Sequence, residues 1–161
     1  MVKIAKTRKA PSKRQLIGWR EWGLLEGLDL PPIKVKIDTG ARSSAIHATR
    51  LKTFDKDGQT WVAFSIHPHQ ENTKDTKRVE MPVHEFRRVR SSNGHETVRP
   101  VVLTPMVIGE TRWILELTLA DRDAMGFRML LGRQAMRKRF VIDPGKSYLQ
   151  GTPQIPKQTP S

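Results

Sequence analysis

The sequence predicts a mainly β chain, a barrel or a sandwich, with one short helix near the C-terminus. Three observations carry this. Short runs of apolar and β-branched residues recur along the chain, separated by turn-forming clusters. Turn signals stand between them at Lys56-Asp57-Gly58, Ser92-Asn93-Gly94 and Ile108-Gly109-Glu110. One stretch alone, Met129–Lys138, has a helical composition, with Ala135 and Met136 favourable and Arg137-Lys138-Arg139 suited to the negative end of a helix.

The elements follow in order. Residues 1–14 form a basic tail that cannot bury a core, 15–151 form one folded domain, and 152–161 form a Pro-rich polar tail. Ile17–Trp22 reads as a strand or its edge. Ile33-Lys34-Val35-Lys36-Ile37 alternates three β-branched apolar residues with two lysines, the pattern of a half-buried strand. Trp61–His67, Arg78–Val83, Val98–Ile108 and Glu110–Leu119 read as further strands. Asp143-Pro144-Gly145 reads as a turn before a last strand around Ser147-Tyr148-Leu149. The four tryptophans, at 19, 22, 61 and 113, do not cluster with basic residues as a single-strand nucleic-acid groove requires, and are read as core or interface anchors. There is no internal repeat.

Composition narrows the chemistry. A chain of 161 residues fits one domain, and 37% apolar content is enough for a core. With no cysteine there are no disulfides and no thiolate chemistry, which fits the cytoplasm. No apolar run reaches membrane-spanning length, and the basic N-terminus lacks the apolar stretch of a secretory signal, so no membrane partner is expected. The net charge is +13, and the first 14 residues supply six cations with no acid. Such an arm suits contact with RNA, the ribosome or another acidic surface, and equally suits a solvated tail. No cofactor or metal is expected. There is no phosphate-cradling Walker string and no His-Glu-x-x-His helix pair. The five histidines (47, 67, 69, 84 and 95) offer only His67-Pro68-His69 as a close pair, and its proline keeps the two off a common helical face.

Asp38-Thr39-Gly40 is the triplet that carries most information. It caps the alternating strand, where Gly gives backbone freedom and Asp can bond its own backbone. A carboxylate delivered by a strand onto a turn is how aspartic proteases present their catalytic Asp. The triplet occurs once, so if it is catalytic a second carboxylate must come from a second copy of the chain. About ninety residues on, Met129-Leu130-Leu131-Gly132-Arg133 is an apolar run into Gly-Arg, the kind of segment that packs behind the catalytic loop in retroviral-type proteases.

Lys36–Ala48, Val89–Gly94, Leu119–Asp123, Arg128–Arg133 and Val141–Leu149 together resemble a bacterial family labelled ATP-dependent zinc proteases, retropepsin-like and RimB-like, and often linked to RimK-type glutamate ligases. The resemblance covers roughly Ile17 to Gln150. It implies a retropepsin-like (acid protease) closed barrel that forms a homodimer, an aspartic peptidase with Asp38, Thr39 and Gly40 as its catalytic triplet. Its implied substrate is an acidic, glutamate-rich peptide or glutamylated protein, with glutamate tails on ribosomal protein as one candidate. Thr39 is expected to bond across the dimer axis, and Gly40 to let substrate backbone approach. The cationic hairpin around Asn93-Gly94 is either a plain exposed turn or a flap over the substrate. As a flap, it places Arg90, Ser92, Asn93 and Arg99, with Arg42 and Ser43 from the catalytic loop, against substrate. Arg42 stands where viral relatives carry an acid. It is read as a surface arginine, as one paired with an acid such as Asp121 or Asp123, or as a clamp for a substrate carboxylate. The competing function is a noncatalytic basic β-module that binds RNA or the ribosome.

Overall fold

The computed structural model describes residues 13–69, 74–90, 93–121 and 126–153. Among them the elements are β1 (Gln15–Ile17), β2 (Arg20–Leu25), β3 (Ile33–Ile37), β4 (Ser44–Lys56), β5 (Gln59–Ile66), β6 (Lys77–Pro82), β7 (Glu85–Arg90), β8 (Glu96–Ile108), β9 (Thr111–Ala120), β10 (Met129–Leu131), α1 (Arg133–Met136) and β11 (Phe140–Ile142). The mainly β expectation holds.

Six strands close a ring. Its circuit runs β10–β3–β2–β8–β9–β4 and returns to β10, with β5 and β6 extending from β4 and β7 hanging from β8. The three-residue β10 is the closing piece. It pairs in parallel with β3, Met129 opposite Val35, and antiparallel with β4, Met129 opposite Ile46. The alternation seen in β3 is realised: Ile33, Val35 and Ile37 are buried while Lys34 and Lys36 are partly exposed. Ile46, Leu117, Leu119, Met129 and Leu131 join them inside, each almost fully buried. Burial of side chains of this size is worth about 1.5–3 kcal/mol apiece.

The helix is shorter than Met129–Lys138. Met129–Leu131 extend because two strand edges are open to receive them, and that pairing outweighs local helical preference. Only Arg133–Met136 coil. Ile17–Trp22 is also two strands, because the chain turns at Gly18. A Cβ there would lie 2.1 Å from the Lys146 carbonyl oxygen, so only glycine lets the C-terminal segment cross. β1 leaves the ring to pair in parallel with β11, Leu16 opposite Val141. That parallel pair, not Ser147–Leu149, is the terminal strand structure. Ser147 makes one isolated bridge to Arg20, and Tyr148 sits at φ 53°. Asp143-Pro144-Gly145 is the expected turn, with the Gly145 N–H donating to Asp143 Oδ1 at 3.0 Å.

The β4–β5 and β7–β8 hairpins form where the Asp-Gly and Asn-Gly signals stand. Asp57 and Gly58 take φ 53° and 76°, matching the twist of the flanking strands. Of the tryptophans, Trp113 is buried in edge contact with Phe140, and Trp22 stacks on Tyr148 with centroids 5.6 Å apart. No helix among the described residues is long and apolar enough to cross a membrane.

Candidate active site

β3 delivers Asp38 to the ring's end, and the loop after it is fixed by its own backbone. Asp38 Oδ1 accepts the Gly40 N–H at 2.9 Å, and the Ala41 N–H donates to the Asp38 carbonyl at 3.3 Å. This is the Asx-type turn that an Asp followed two residues on by Gly favours. One carboxylate oxygen is thereby oriented, and the side chain remains partly exposed.

The Leu131–Arg133 segment packs behind this loop. The Asp38 N–H donates to the Leu131 carbonyl at 2.9 Å, the Gly132 N–H to Ser44 Oγ at 3.0 Å, and the Arg133 N–H to the Ala41 carbonyl at 2.8 Å. Gly132 is required by contact: a Cβ would stand 2.5 Å from the Ser43 carbonyl oxygen. Arg133 Nη1 reaches the Thr39 and Gly40 carbonyls at 3.3 and 3.2 Å. With Arg42 in the place of an acid, Arg133 therefore braces the loop through main-chain carbonyls.

Two clefts open beside the loop and share Ser43. The inner one, about 270 Å³, runs from Asp38 across Ala45, His47, Thr118, Ala120, Arg128 and Leu130, with Val89 of β7 at its side. The outer one, about 520 Å³, is bounded by Arg42 and Gln134 on one side and by Arg87, Arg88, Val89 and Arg90 of the hairpin on the other, with Glu116 between. Four arginines face one glutamate there, so the outer cleft is strongly cationic. Arg87 is held by Glu85 and by Glu116 at 3.0 Å. Partial burial pulls its guanidinium down, but the two carboxylates outweigh that and raise it above the ordinary arginine value.

The site residues expected from sequence are thus only partly brought together. Asp38 and Ser43 line the inner cleft, and Arg42, Ser43 and Arg90 line the outer one. Among the described residues no ion pair joins Arg42 to Asp121, and Asp123 lies outside them, so Arg42 faces the hairpin arginines instead. Arg90 also meets Glu96 at 3.3 Å. Thr39 and Gly40 are exposed on the loop. Ser92 lies outside the described residues. Asn93 is at the hairpin turn and Arg99, opposite Arg87, directs Nε to Thr97 Oγ1 at 3.3 Å; neither lines a cleft. Arg87, Arg88, Glu116, His47, Thr118 and Arg128 are additional. The arginine-rich run before Asn93-Gly94 signals the first two, but the others need the strand pairing to place them.

His67 and His69, the close pair, are engaged separately. His67 lies between Thr49 Oγ1 and Thr76 Oγ1, each at 2.9 Å, and His69 meets Asp75 at 2.6 Å. Among the described residues no three of His, Asp and Glu group in a way that holds a metal ion.

Known proteins resemble this chain in sequence and fold. A model of the RimB-like family, described as retropepsin-like aspartic endopeptidase RimB, matches residues 16–153; neither ATP nor zinc figures in that description. A protein of Desulfotalea psychrophila named "Probable alpha-L-glutamate ligase" is 44% identical over 131 residues, 81% of this chain and 28% of its own length. A protein of Parasynechococcus marenigrum with the same name is 43% identical over 140 residues, 87% of this chain and 30% of its own. The chain thus spans less than a third of the curated relatives it matches. A crystal structure of a Legionella pneumophila protein of unknown function superposes with a TM-score of 0.71 at 23% identity, covering 86% of this chain and 99% of that one, which speaks to the fold. With the family model spanning nearly all the described domain, the chain belongs to the RimB-like family of retropepsin-like aspartic endopeptidases.

Proposed function

We propose that this chain is an aspartic-type peptidase, active as a homodimer in the cytoplasm, which hydrolyses peptide bonds in glutamate-rich substrates. The observation that carries the reading is Asp38 itself. It stands at a strand end, with one oxygen oriented by the Gly40 N–H and its loop braced by Leu131, Gly132 and Arg133, at the mouth of a cleft. In a dimer, two Asp38 carboxylates meet near the axis and hold one proton between them, because like charges so close resist joint ionisation. The ionised one takes a proton from a water whose oxygen attacks the scissile carbonyl carbon, while the protonated one donates to the carbonyl oxygen; the C–N bond then breaks as one proton passes to the leaving amine, and the pair is left with one shared proton. No covalent enzyme intermediate forms. Thr39, exposed on the loop, links the two copies, and Gly40 admits substrate backbone.

The substrate class is supported by the cationic outer cleft and by relatives named as glutamate ligases. Arg42, Arg88 and Arg90 attract carboxylates, and a peptidase that removes glutamates complements an enzyme that adds them. Glutamate tails on a ribosomal protein fit that chemistry. The basic N-terminal arm and the same arginines also favour a second reading, a noncatalytic module that binds RNA or the ribosome.

The experiment is mass spectrometry of a peptide ending in oligoglutamate, incubated with wild type and Asp38→Asn, each with and without chelator. Glutamate loss by wild type alone, indifferent to chelator, is expected. Loss abolished by chelator points to a metal hydrolase. A protein that cleaves nothing yet binds RNA with a steep salt dependence, unchanged in Asp38→Asn, overturns the peptidase in favour of the module.

A further inference from the structure

Beside Asp38 the inner cleft has a floor whose polar groups the peptidase chemistry does not use. The floor is three strands wide. Thr118 of β9 stands opposite Ala45 of β4, which stands opposite Leu130 of β10. One row on, Ala120 stands opposite His47, whose N–H donates to the Arg128 carbonyl at 2.6 Å. Cross-strand neighbours share a face, so Thr118, His47 and Arg128 line one wall of the cleft while the small Ala45 and Ala120 leave room between them.

Two polar atoms here lack hydrogen-bond partners among the described residues. Thr118 is only 3% exposed, and neither its Oγ1 nor His47 Nδ1 has a hydrogen-bond partner among the described residues. Buried polar atoms are ordinarily satisfied, and leaving one unmet is costly. Both groups can donate: the threonine hydroxyl always, and the imidazole when Nδ1 carries hydrogen. Arg128 adds a guanidinium, whose Nε donates to the His69 carbonyl at 3.0 Å. Among the described residues, Asp38 is the one carboxylate that lines this cleft. We infer that Thr118, His47 and Arg128 form the pocket for an acidic side chain next to the bond that is cut, with the hydroxyl, the imidazole and the guanidinium donating to its carboxylate. This rests on the peptidase reading for its place beside the scissile bond, but the pocket can be tested without turnover. An amide of the same shape presents an NH₂ to Arg128 and is disfavoured, so the pocket distinguishes glutamate from glutamine.

The test uses the full chain carrying Asp38→Asn, titrated with a fluorescein-labelled pentaglutamate peptide and with five versions in which a single Glu is replaced by Gln. Roughly 0.3 M salt suppresses the contribution of the exposed outer arginines. One position is expected to weaken binding by about tenfold or more, in keeping with a lost charge-assisted contact. Adding Thr118→Val or His47→Leu should erase the discrimination at that position and leave the other four unchanged, while Thr118→Ser retains it. Thermal melting confirms that each variant folds, and the two independent variants guard against one that does not. Absence of binding, absence of a discriminating position, or discrimination that survives both variants overturns the inference. Cleavage by wild type that ignores Glu against Gln overturns it too, yet spares the peptidase reading. Selective binding through Thr118 without any cleavage by wild type does the reverse.

Discussion

Glu21 is completely buried, and replacing it is expected to loosen the chain's two ends from each other. Its carboxylate accepts three backbone N–H groups: Gly18 at 2.7 Å and Leu149 at 3.0 Å on Oε2, and Gln150 at 3.1 Å on Oε1. A hydrogen bond to a charged group contributes roughly 1.5–3 kcal/mol net. Glu21→Gln keeps one carbonyl oxygen, which can hold the Gly18 and Leu149 pair, but turns an NH₂ toward the Gln150 N–H. The cost should be about 2 kcal/mol. Glu21→Leu strands all three donors. It also removes the desolvation cost of a buried carboxylate, and the exposed Leu149 region lets water reach its amide, so the total should be about 4 kcal/mol rather than the full sum. For a domain of this size that lowers the melting temperature by about 8–16 °C. Thermal unfolding followed by circular dichroism reads it, and hydrogen exchange should accelerate most at Leu149 and Gln150. A leucine variant within about 1 kcal/mol of wild type, or a glutamine variant as damaged as leucine, would refute the idea that capture of backbone donors is what ties the ends.

Three other outcomes are expected. Gly132→Ala drives a Cβ into the Ser43 carbonyl, so it should cost about 1–3 kcal/mol in melting and cut peptide cleavage by about 100-fold as the Asp38 loop shifts; unchanged cleavage rules out the brace. Arg88→Ala with Arg90→Ala should raise KM for an acidic peptide, leave kcat alone and flatten the salt dependence, with a neutral peptide as the control. Asp29 is held below the ordinary aspartate value by its 2.7 Å hydrogen bond to Lys77 and then by that ammonium's charge. The unfolded chain binds more protons at this site, so the stability it contributes is present above the ordinary aspartate value and is lost as pH falls through the lowered one. Asp29→Asn should therefore shallow the acid limb of a melting-temperature profile and barely change melting at neutral pH, since the carboxylate is exposed.

Which parts of this structure the sequence reveals follows from how local each cause is. β3 is legible because its alternation is a property of five consecutive residues, and the hairpins are legible because Asp57-Gly58 and Asn93-Gly94 carry their own turn geometry. Met129-Leu130-Leu131 is ambiguous, since a short apolar run has no period to separate strand from helix, and only the two open edges of β3 and β4 decide it. β4, thirteen residues long, hides behind a register shift between Thr49 and Lys52, where Arg50 takes φ 55° and its carbonyl accepts from Arg78 Nη1 at 2.7 Å. In the site, Asp38 is legible because triplet and strand are adjacent. The cationic hairpin shows in composition, but which arginines face the loop depends on how β7 lies beside it, and so Arg87 and Arg88 stand where Arg99 was expected. Thr118 and Glu21 carry no local mark. One acquires meaning from a strand pairing across 73 residues, the other from donors 128 and 129 residues away.

The ring's closure by β10 also governs when the chain can become competent during its own synthesis. β3 and β4 emerge from the ribosome some ninety residues before Met129–Leu131, and until then each keeps an edge of unpaired backbone groups. The Asp38 amide and the Ala41 and Arg42 carbonyls wait for Leu131, Arg133 and Gln134 in the same way. Pairings that distant are slow to form and leave the nascent chain open to wrong partners in the interval. The loop that carries Asp38 therefore acquires its shape late and together with the ring, so that an incomplete chain holds the carboxylate without the geometry to use it.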